Sequence, residues 1–213
     1  MNSKYLLAVI ALGVAIGLAT IFMPGKNSSE NDRYNANTAT GHNIANLISN
    51  DKPQGGNFTL TSTLGEQSLS DFKNKLVLIY FGYTYCPDIC PTNLGNLSVA
   101  YQQFTPEERE QLQILFVSVD PERDTPARLK QYADYFESNI IGLTGTAENI
   151  AEIAHRYGVV YAKVDDPNNG TNYAVDHSAF TYVVDQQGTW QEQLPHATTP
   201  DSFIKTVRTY LKS

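Results

Sequence analysis

The sequence predicts an α/β domain, a central mixed β-sheet flanked by helices, over residues 57–213. Three observations predict it. Leu76–Phe81 and Leu112–Val119 are unbroken apolar runs rich in β-branched and aromatic residues, the pattern of strands buried on both faces. Each is followed by a segment whose apolar residues recur at helical spacing. From residue 177 the order changes to two strand-like runs and a last amphipathic helix, which adds an antiparallel hairpin to the alternating strands and helices.

Phe58-Thr59-Leu60-Thr61 alternates as a first strand, and Leu64-Gly65-Glu66 turns the chain into a short second one. Ser68–Phe72 reads as a polar-capped turn leading to the strand at 76–81, which Gly82 ends. Leu94, Leu97, Tyr101 and Phe104 then mark a helix beginning at about Pro91, a residue suited to the first helical position because its missing N–H is no loss there. Thr105-Pro106-Glu107-Glu108 is a capping box that opens a short helix before the strand at 112–119. Thr125-Pro126 opens another, carrying Leu129, Tyr132, Ala133 and Phe136. Ile140–Leu143 is a brief strand, and Thr146 caps a helix through Ile150, Ile153, Ala154 and Tyr157. Val159–Val164 alternates as a strand, Asp165–Asn172 is turn-rich, and His177–Asp185 is a further strand. Gln186-Gln187-Gly188 turns it into Thr189–Leu194, and Thr199-Pro200-Asp201 caps a helix with Phe203, Ile204, Val207, Tyr210 and Leu211 on one face. This order reads as a thioredoxin-like domain.

With 213 residues and 41% hydrophobic side chains, the chain can bury one sizeable core. A formal charge of −7, with scattered basic residues, argues against nucleic acid as a partner. Residues 5–23 carry no charge, and at helical rise they reach roughly 28 Å, close to the thickness of a bilayer's hydrocarbon core. A cleaved leader has a shorter apolar core and a small-residue exit site, so residues 1–25 read as an uncleaved transmembrane anchor. Lys4 precedes the span with no acidic residue beside it, which holds that end in the cytoplasm and exports the rest. Residues 26–56, rich in Asn, Ser, Thr and Gly, read as a flexible tether. His42 within it reads as a solvated residue, and His155, inside a helix next to Arg156, as a surface or half-buried structural residue.

The chemistry centres on Cys86-Pro87-Asp88-Ile89-Cys90-Pro91, which holds both cysteines of the chain. They fall at the C-terminal end of a central strand, where open α/β sheets bind ligands, and at a helix start, whose partial positive charge favours thiolate. Two soft sulfurs four positions apart can close a disulfide or grip a soft metal. A purely structural disulfide is the weaker reading, because so short a loop removes little unfolded-state entropy.

The run Phe81–Pro91 resembles the signature of the Sco/SenC copper-binding proteins. Phe116–Pro126, Asp176-His177-Ser178 and Gly142-Leu143-Thr144-Gly145 agree with it, from about residue 55 to the C-terminus. The resemblance implies a thioredoxin-like fold on the outer face of a membrane, here the bacterial inner membrane facing the periplasm. It also implies copper delivery to cytochrome c oxidase, at the copper A site of subunit II. It carries three ligands onto Cys86, Cys90 and His177. Thiolates plus imidazole suit copper(I) or copper(II), with sulfur favouring copper(I). Tyr85 departs from the pattern, since many members place a histidine there, but that residue is not a ligand in the family.

Asp88, Asp120 and Asp176 are candidates for supporting the ligands, Asp176 by fixing the ring of His177. Asp120, Arg123 and Asp124 read as a loop-fixing ion-pair network. Because residues 165–176 are rich in Asn, Asp and Gly, His177 is expected to be the least tethered ligand, with the metal-free site only partly formed. The dithiol must be reduced to bind, so a periplasmic thiol reductant and a copper donor are implied partners. The alternative is a thiol-disulfide oxidoreductase acting on another protein's cysteines through the Cys86/Cys90 dithiol. Three intervening residues rather than the usual two, and the presence of His177, count against it. Zinc ranks third, because little beyond Asp88 could serve as acid or base beside a zinc-bound water.

Overall fold

The computed structural model describes residues 53–136, 138–165 and 173–212. The expected anchor (residues 5–23) and nearly all of the expected tether lie outside them. No helix among the described residues is long and apolar enough to cross a membrane.

A hairpin of β1 (Thr59–Ser62) and β2 (Gly65–Ser68) leads through one 3-10 turn into β3 (Leu76–Gly82). The chain continues through α1 (Ile89–Gln102), α2 (Pro106–Glu110), β4 (Leu112–Ser118), α3 (Pro126–Asp134), β5 (Ile140–Leu143) and α4 (Ala147–Tyr157). It closes with β6 (Tyr161–Asp165), β7 (Tyr173–His177), β8 (Thr181–Val184), β9 (Trp190–Leu194) and α5 (Pro200–Leu211). The central sheet has the order β5-β4-β3-β8-β9. β3 pairs parallel with β4 and antiparallel with β8, so the sheet is mixed as the sequence predicts.

Every residue of β3 and β4 is buried, which explains their unbroken apolar runs. On one face Leu76, Leu78, Ile114 and Val183 pack with Leu97 and Ala100 of α1 and Phe203 and Val207 of α5. On the other, Val77, Ile79, Phe81 and Val117 join Ile150, Ile153 and Tyr157 of α4. Burying each such side chain contributes roughly 1.5–3 kcal/mol. An aromatic group closes this second face, with Tyr182 and Tyr157 packed on each other at 5.6 Å and Trp190 against both, at 5.4 and 6.2 Å.

Thr105, Thr125, Thr146 and Thr199 each cap a helix by accepting from the third helical N–H, and proline follows at positions 106, 126 and 200. Two expectations fail locally. The first long helix begins at Ile89 behind Asp88, not at Pro91, so Cys90 lies inside its first turn. A proline is tolerated throughout that turn because those N–H groups lack helical partners, and its position therefore did not mark the start. The run from His177 is not one strand either. His177 ends β7, residues 178–180 intervene, and only then does β8 join the central sheet.

Candidate metal centre

Cys86 and Cys90 stand at the end of β3 because the sheet sets them there. Cys90 is fully buried on the first turn of α1, and Cys86 nearly so. Gly82 makes the close approach possible: a Cβ on it would lie 2.7 Å from Cys90 Sγ and 2.8 Å from Phe116. The Cys90 backbone N–H donates to Cys86 Sγ at 3.4 Å. Both cysteines are free thiols.

His177 reaches the pair from β7. Its Nε2 lies 3.3 Å from Cys90 Sγ, and the ligand atoms of Cys86, Cys90 and His177 all lie within 4.8 Å of one another. Its Nδ1 faces the Ser178 carbonyl at 3.1 Å, a contact that orients the ring and aims Nε2 at the sulfurs. The rings of Tyr83 and Tyr80 meet the imidazole edge-on at 5.7 and 6.3 Å.

The two thiols share one proton unequally. Cys86 is held down to about 4 by the hydrogen bond with Cys90, against the effect of burial and helped by His177 and the backbone N–H groups of Cys90 and Asp88. Burial, reinforced by the neighbouring Cys86, pushes Cys90 up. The arrangement is a thiolate at Cys86 and a thiol at Cys90, with the His177 imidazole beside them. Once the second proton leaves, these are two sulfur donors and one nitrogen donor, a set that suits a soft transition metal.

The aspartates fall in different places. Asp88 is exposed at the N-cap of α1, and its carboxylate accepts from Thr92 Oγ1 at 3.3 Å while its backbone N–H serves Cys86. Asp176 is exposed, and strand alternation puts it on the opposite face of β7 from Val175 and His177. The Ser178 carbonyl, not Asp176, is what His177 Nδ1 meets. Asp120 is buried and accepts from Arg123 Nε and, at 2.6 Å, from the Tyr173 hydroxyl. Asp124, also fully buried, accepts from the Thr84 backbone N–H at 3.0 Å, the Thr84 hydroxyl at 2.6 Å and the Ser118 hydroxyl at 2.7 Å.

The network read from Asp120, Arg123 and Asp124 therefore holds two things. Asp124 fixes the segment before Cys86, and Asp120 with Arg123 grips β7. Arg123 donates to the Tyr173 carbonyl at 2.9 Å and stacks over the Tyr173 ring at 3.7 Å. The Tyr83 hydroxyl accepts from the Val175 backbone N–H at 3.2 Å, tying β7 directly to the cysteine loop. His177 therefore stands beside the thiols on a strand that these polar contacts hold. Tyr80, Tyr83 and Arg128, whose guanidinium donates to Thr84 and lies over Tyr85 at 3.9 Å, were not singled out by the sequence. No spacing signal relates them to Cys86 and His177.

These features define a thioredoxin-like α/β domain with a two-cysteine, one-histidine centre at the end of its central strand. The SCO1/SenC family model matches residues 48–212, and the chain belongs to that family. It is 36% identical over 164 residues to an SCO2-like protein of Rickettsia conorii, covering 76% of this chain and 80% of that one. Yeast Sco1, solved with copper bound, superposes with a TM-score of 0.68 at 33% identity, covering 76% of this chain and 90% of the other. BsSco, described with a disulfide switch and as a member of the Sco family of cytochrome c oxidase assembly proteins, superposes with a TM-score of 0.57. It is 27% identical, with 75% of this chain and 94% of that one covered.

Proposed function

We propose that this protein is a copper chaperone for cytochrome c oxidase assembly, passing copper to the copper A site of subunit II by ligand exchange. Copper is the cargo, and Cys86, Cys90 and His177 hold it. The observation that carries this reading is the convergence of two sulfurs and one imidazole nitrogen within 4.8 Å, with the ring's other nitrogen turned to a backbone carbonyl. The domain works from the outer face of the inner membrane, held by residues 1–25 and a tether at 26–56. A thiol reductant and a copper donor act on the same side.

Competition titration of the reduced full chain in detergent tests this. One copper binds per chain, and Cys86→Ser or Cys90→Ser abolishes tight binding. His177→Ala weakens copper(II) most, because two thiolates alone can hold copper(I) in a linear site. Equal binding by the wild type and the double serine variant under reducing conditions would sink the proposal.

One observation favours thiol-disulfide exchange as a second activity. Cys86 is a ready thiolate beside a thiol whose proton burial retains, an unequal pair of the kind that attacks and then resolves a disulfide. His177→Ala separates the two. Loss of oxidase assembly with disulfide reduction intact assigns copper delivery as the main task, whereas rescue of oxidase at normal copper levels assigns thiol exchange.

A further inference from the structure

Tyr85 is nearly half exposed, at 47%, although Tyr83, Thr84 and Cys86 around it in the chain are all buried. Two guanidinium groups lie over its ring, that of Arg128 at 3.9 Å and that of Arg123 at 4.6 Å. The ring's open surface therefore adjoins the residue that anything meeting the metal centre must reach. The two arginines differ in what they have left to offer. Arg123 is 17% exposed and holds Asp120 and the Tyr173 carbonyl. Arg128, in the first turn of α3, is 40% exposed. Its Nε donates to the Thr84 hydroxyl at 2.6 Å and lies 3.9 Å from Asp124, while its two Nη groups donate to nothing among the described residues.

Asp120 and Asp124, the carboxylates that balance these cations, are fully buried, so solvent meets the Arg128 guanidinium and not its counter-charge. Two exposed carboxylates lie close in sequence, but Glu122 pairs with Lys163 at 2.5 Å and Asp88 accepts from Thr92. In a chain of formal charge −7 this face is a local exception. A planar guanidinium with its outer nitrogens open matches a carboxylate in a two-point hydrogen bond, and the stacked tyrosine holds that fork ready. Tyr and Arg are also the side chains that most often dominate the energetics of protein contacts.

We infer that Tyr85 and Arg128 form a docking point for a partner protein that presents an acidic side chain next to the group it brings to Cys86. The docking point presupposes the reading that another protein meets this centre. To that reading it adds the chemistry of the partner's surface, carboxylates beside its own sulfur or metal-binding group. As a contact at the rim, it acts on encounter rate and specificity more than on the strength of metal binding.

Two peptides of equal length test this. Each carries one cysteine as its pyridyl disulfide, flanked by glutamates in one peptide and by lysines in the other. With the reduced full chain in neutral detergent, the Cys86 sulfur bonds to the peptide sulfur and pyridinethione leaves, so its absorbance gives the rate. Cys90 then displaces the peptide as a thiol. Dipyridyl disulfide, which is uncharged, reports the intrinsic reactivity of each variant. Relative to it, the glutamate peptide reacts about tenfold faster than the lysine peptide at low ionic strength, and the ratio falls toward one in molar salt. Arg128→Gln removes most of this preference, Arg128→Lys restores part of it, and Tyr85→Leu weakens it about threefold. Lys130→Gln is the control. It takes the same charge from the same helix two positions on, where side chains face another way, and leaves the ratio within about twofold.

No preference, or a preference for the lysine peptide that follows the net charge of −7, would overturn the inference. So would a preference that Lys130→Gln reduces as much as Arg128→Gln does, since that marks the field of the whole chain. If Arg128→Gln loses reactivity toward the uncharged reagent as well, the wild-type ratio, its salt dependence and Tyr85→Leu decide the question. Copper titration of the same samples separates the two readings. A wild type that binds copper without the preference overturns the docking point alone. One that shows the preference without binding copper overturns copper delivery alone.

Discussion

Cys86 and Cys90 hang from the centre of a five-stranded sheet, whereas His177 is carried by a separate two-stranded sheet that pairs with no other strand among the described residues. The sulfur side is defined by burial: β3 is inaccessible along its whole length, and Cys90 is packed against Gly82 and Phe116. The nitrogen side is defined by a handful of polar contacts. β6 is largely exposed, and β7 is held through Tyr83, Arg123 and the Tyr173–Asp120 bond. A metal bound here would therefore bridge two units of unequal local stability, and the weaker one carries a single ligand.

The largest effect expected from breaking this arrangement comes from Asp124, on the sulfur side. Asp124→Ala strands the Thr84 N–H, the Thr84 hydroxyl and the Ser118 hydroxyl in the core, and leaves Arg128 without its counter-charge at 3.9 Å. Burial raises the Asp124 carboxyl, and the bonds from Thr84 and Ser118 oppose that rise. We expect a loss of about 3 kcal/mol in urea unfolding, together with loss of copper binding. A change below about 1 kcal/mol would show that the loop before Cys86 is held by apolar packing alone.

The pH dependence of the reduced, metal-free protein sharpens the same contrast. Between about 4 and the ordinary thiol value of 9.0, the unfolded chain carries a proton on Cys86 that the fold does not. Stability therefore rises with pH across that window and is lost as pH falls toward the lower end. Cys90 works the other way: above 9.0 the unfolded chain ionises it while burial keeps the folded thiol protonated, so stability declines again. Cys86→Ser should flatten the rising limb. A slope that survives the substitution would assign it to carboxylates elsewhere.

The smallest effect is expected on the nitrogen side. Tyr173→Phe removes one hydrogen bond to Asp120, which keeps Arg123 as a partner, and costs about 1 kcal/mol. Its signature is local. Hydrogen exchange of residues 173–177 quickens while β3 stays protected, and copper(II) affinity falls more than copper(I). Uniform acceleration through both regions would mean that the hairpin and the central sheet open as one unit.

What the sequence disclosed follows the same division. Long apolar runs, threonine caps followed by proline, and two cysteines between a strand and a helix are local signals, and they located the sheet and the sulfur side well. His177 was legible through the family's motif, but its setting was not. The Asn-rich stretch before it suggested a loose tether, while the actual anchors, Tyr83 and Arg123, lie 92 and 50 residues away in the chain from the groups they hold. The aspartates divided for a related reason. Adjacency in sequence made Asp176 look like a partner of His177, yet in a strand neighbouring side chains face opposite ways. Asp120 sits far from His177 in sequence, yet it secures the strand that carries it.

Trp190 is the one tryptophan of the chain, and its indole rests on Tyr157 and Tyr182 at the helix-covered face of the sheet. The phenols flanking His177 are two other residues, Tyr80 and Tyr83. Selectively excited tryptophan emission is thus an intrinsic reporter of whether that aromatic layer is assembled, and thiolate absorbance reports on the cysteines. The two signals come from different chromophores, so a single sample can show whether a metal bound at the cysteines would leave by melting the domain or while its interior remains closed.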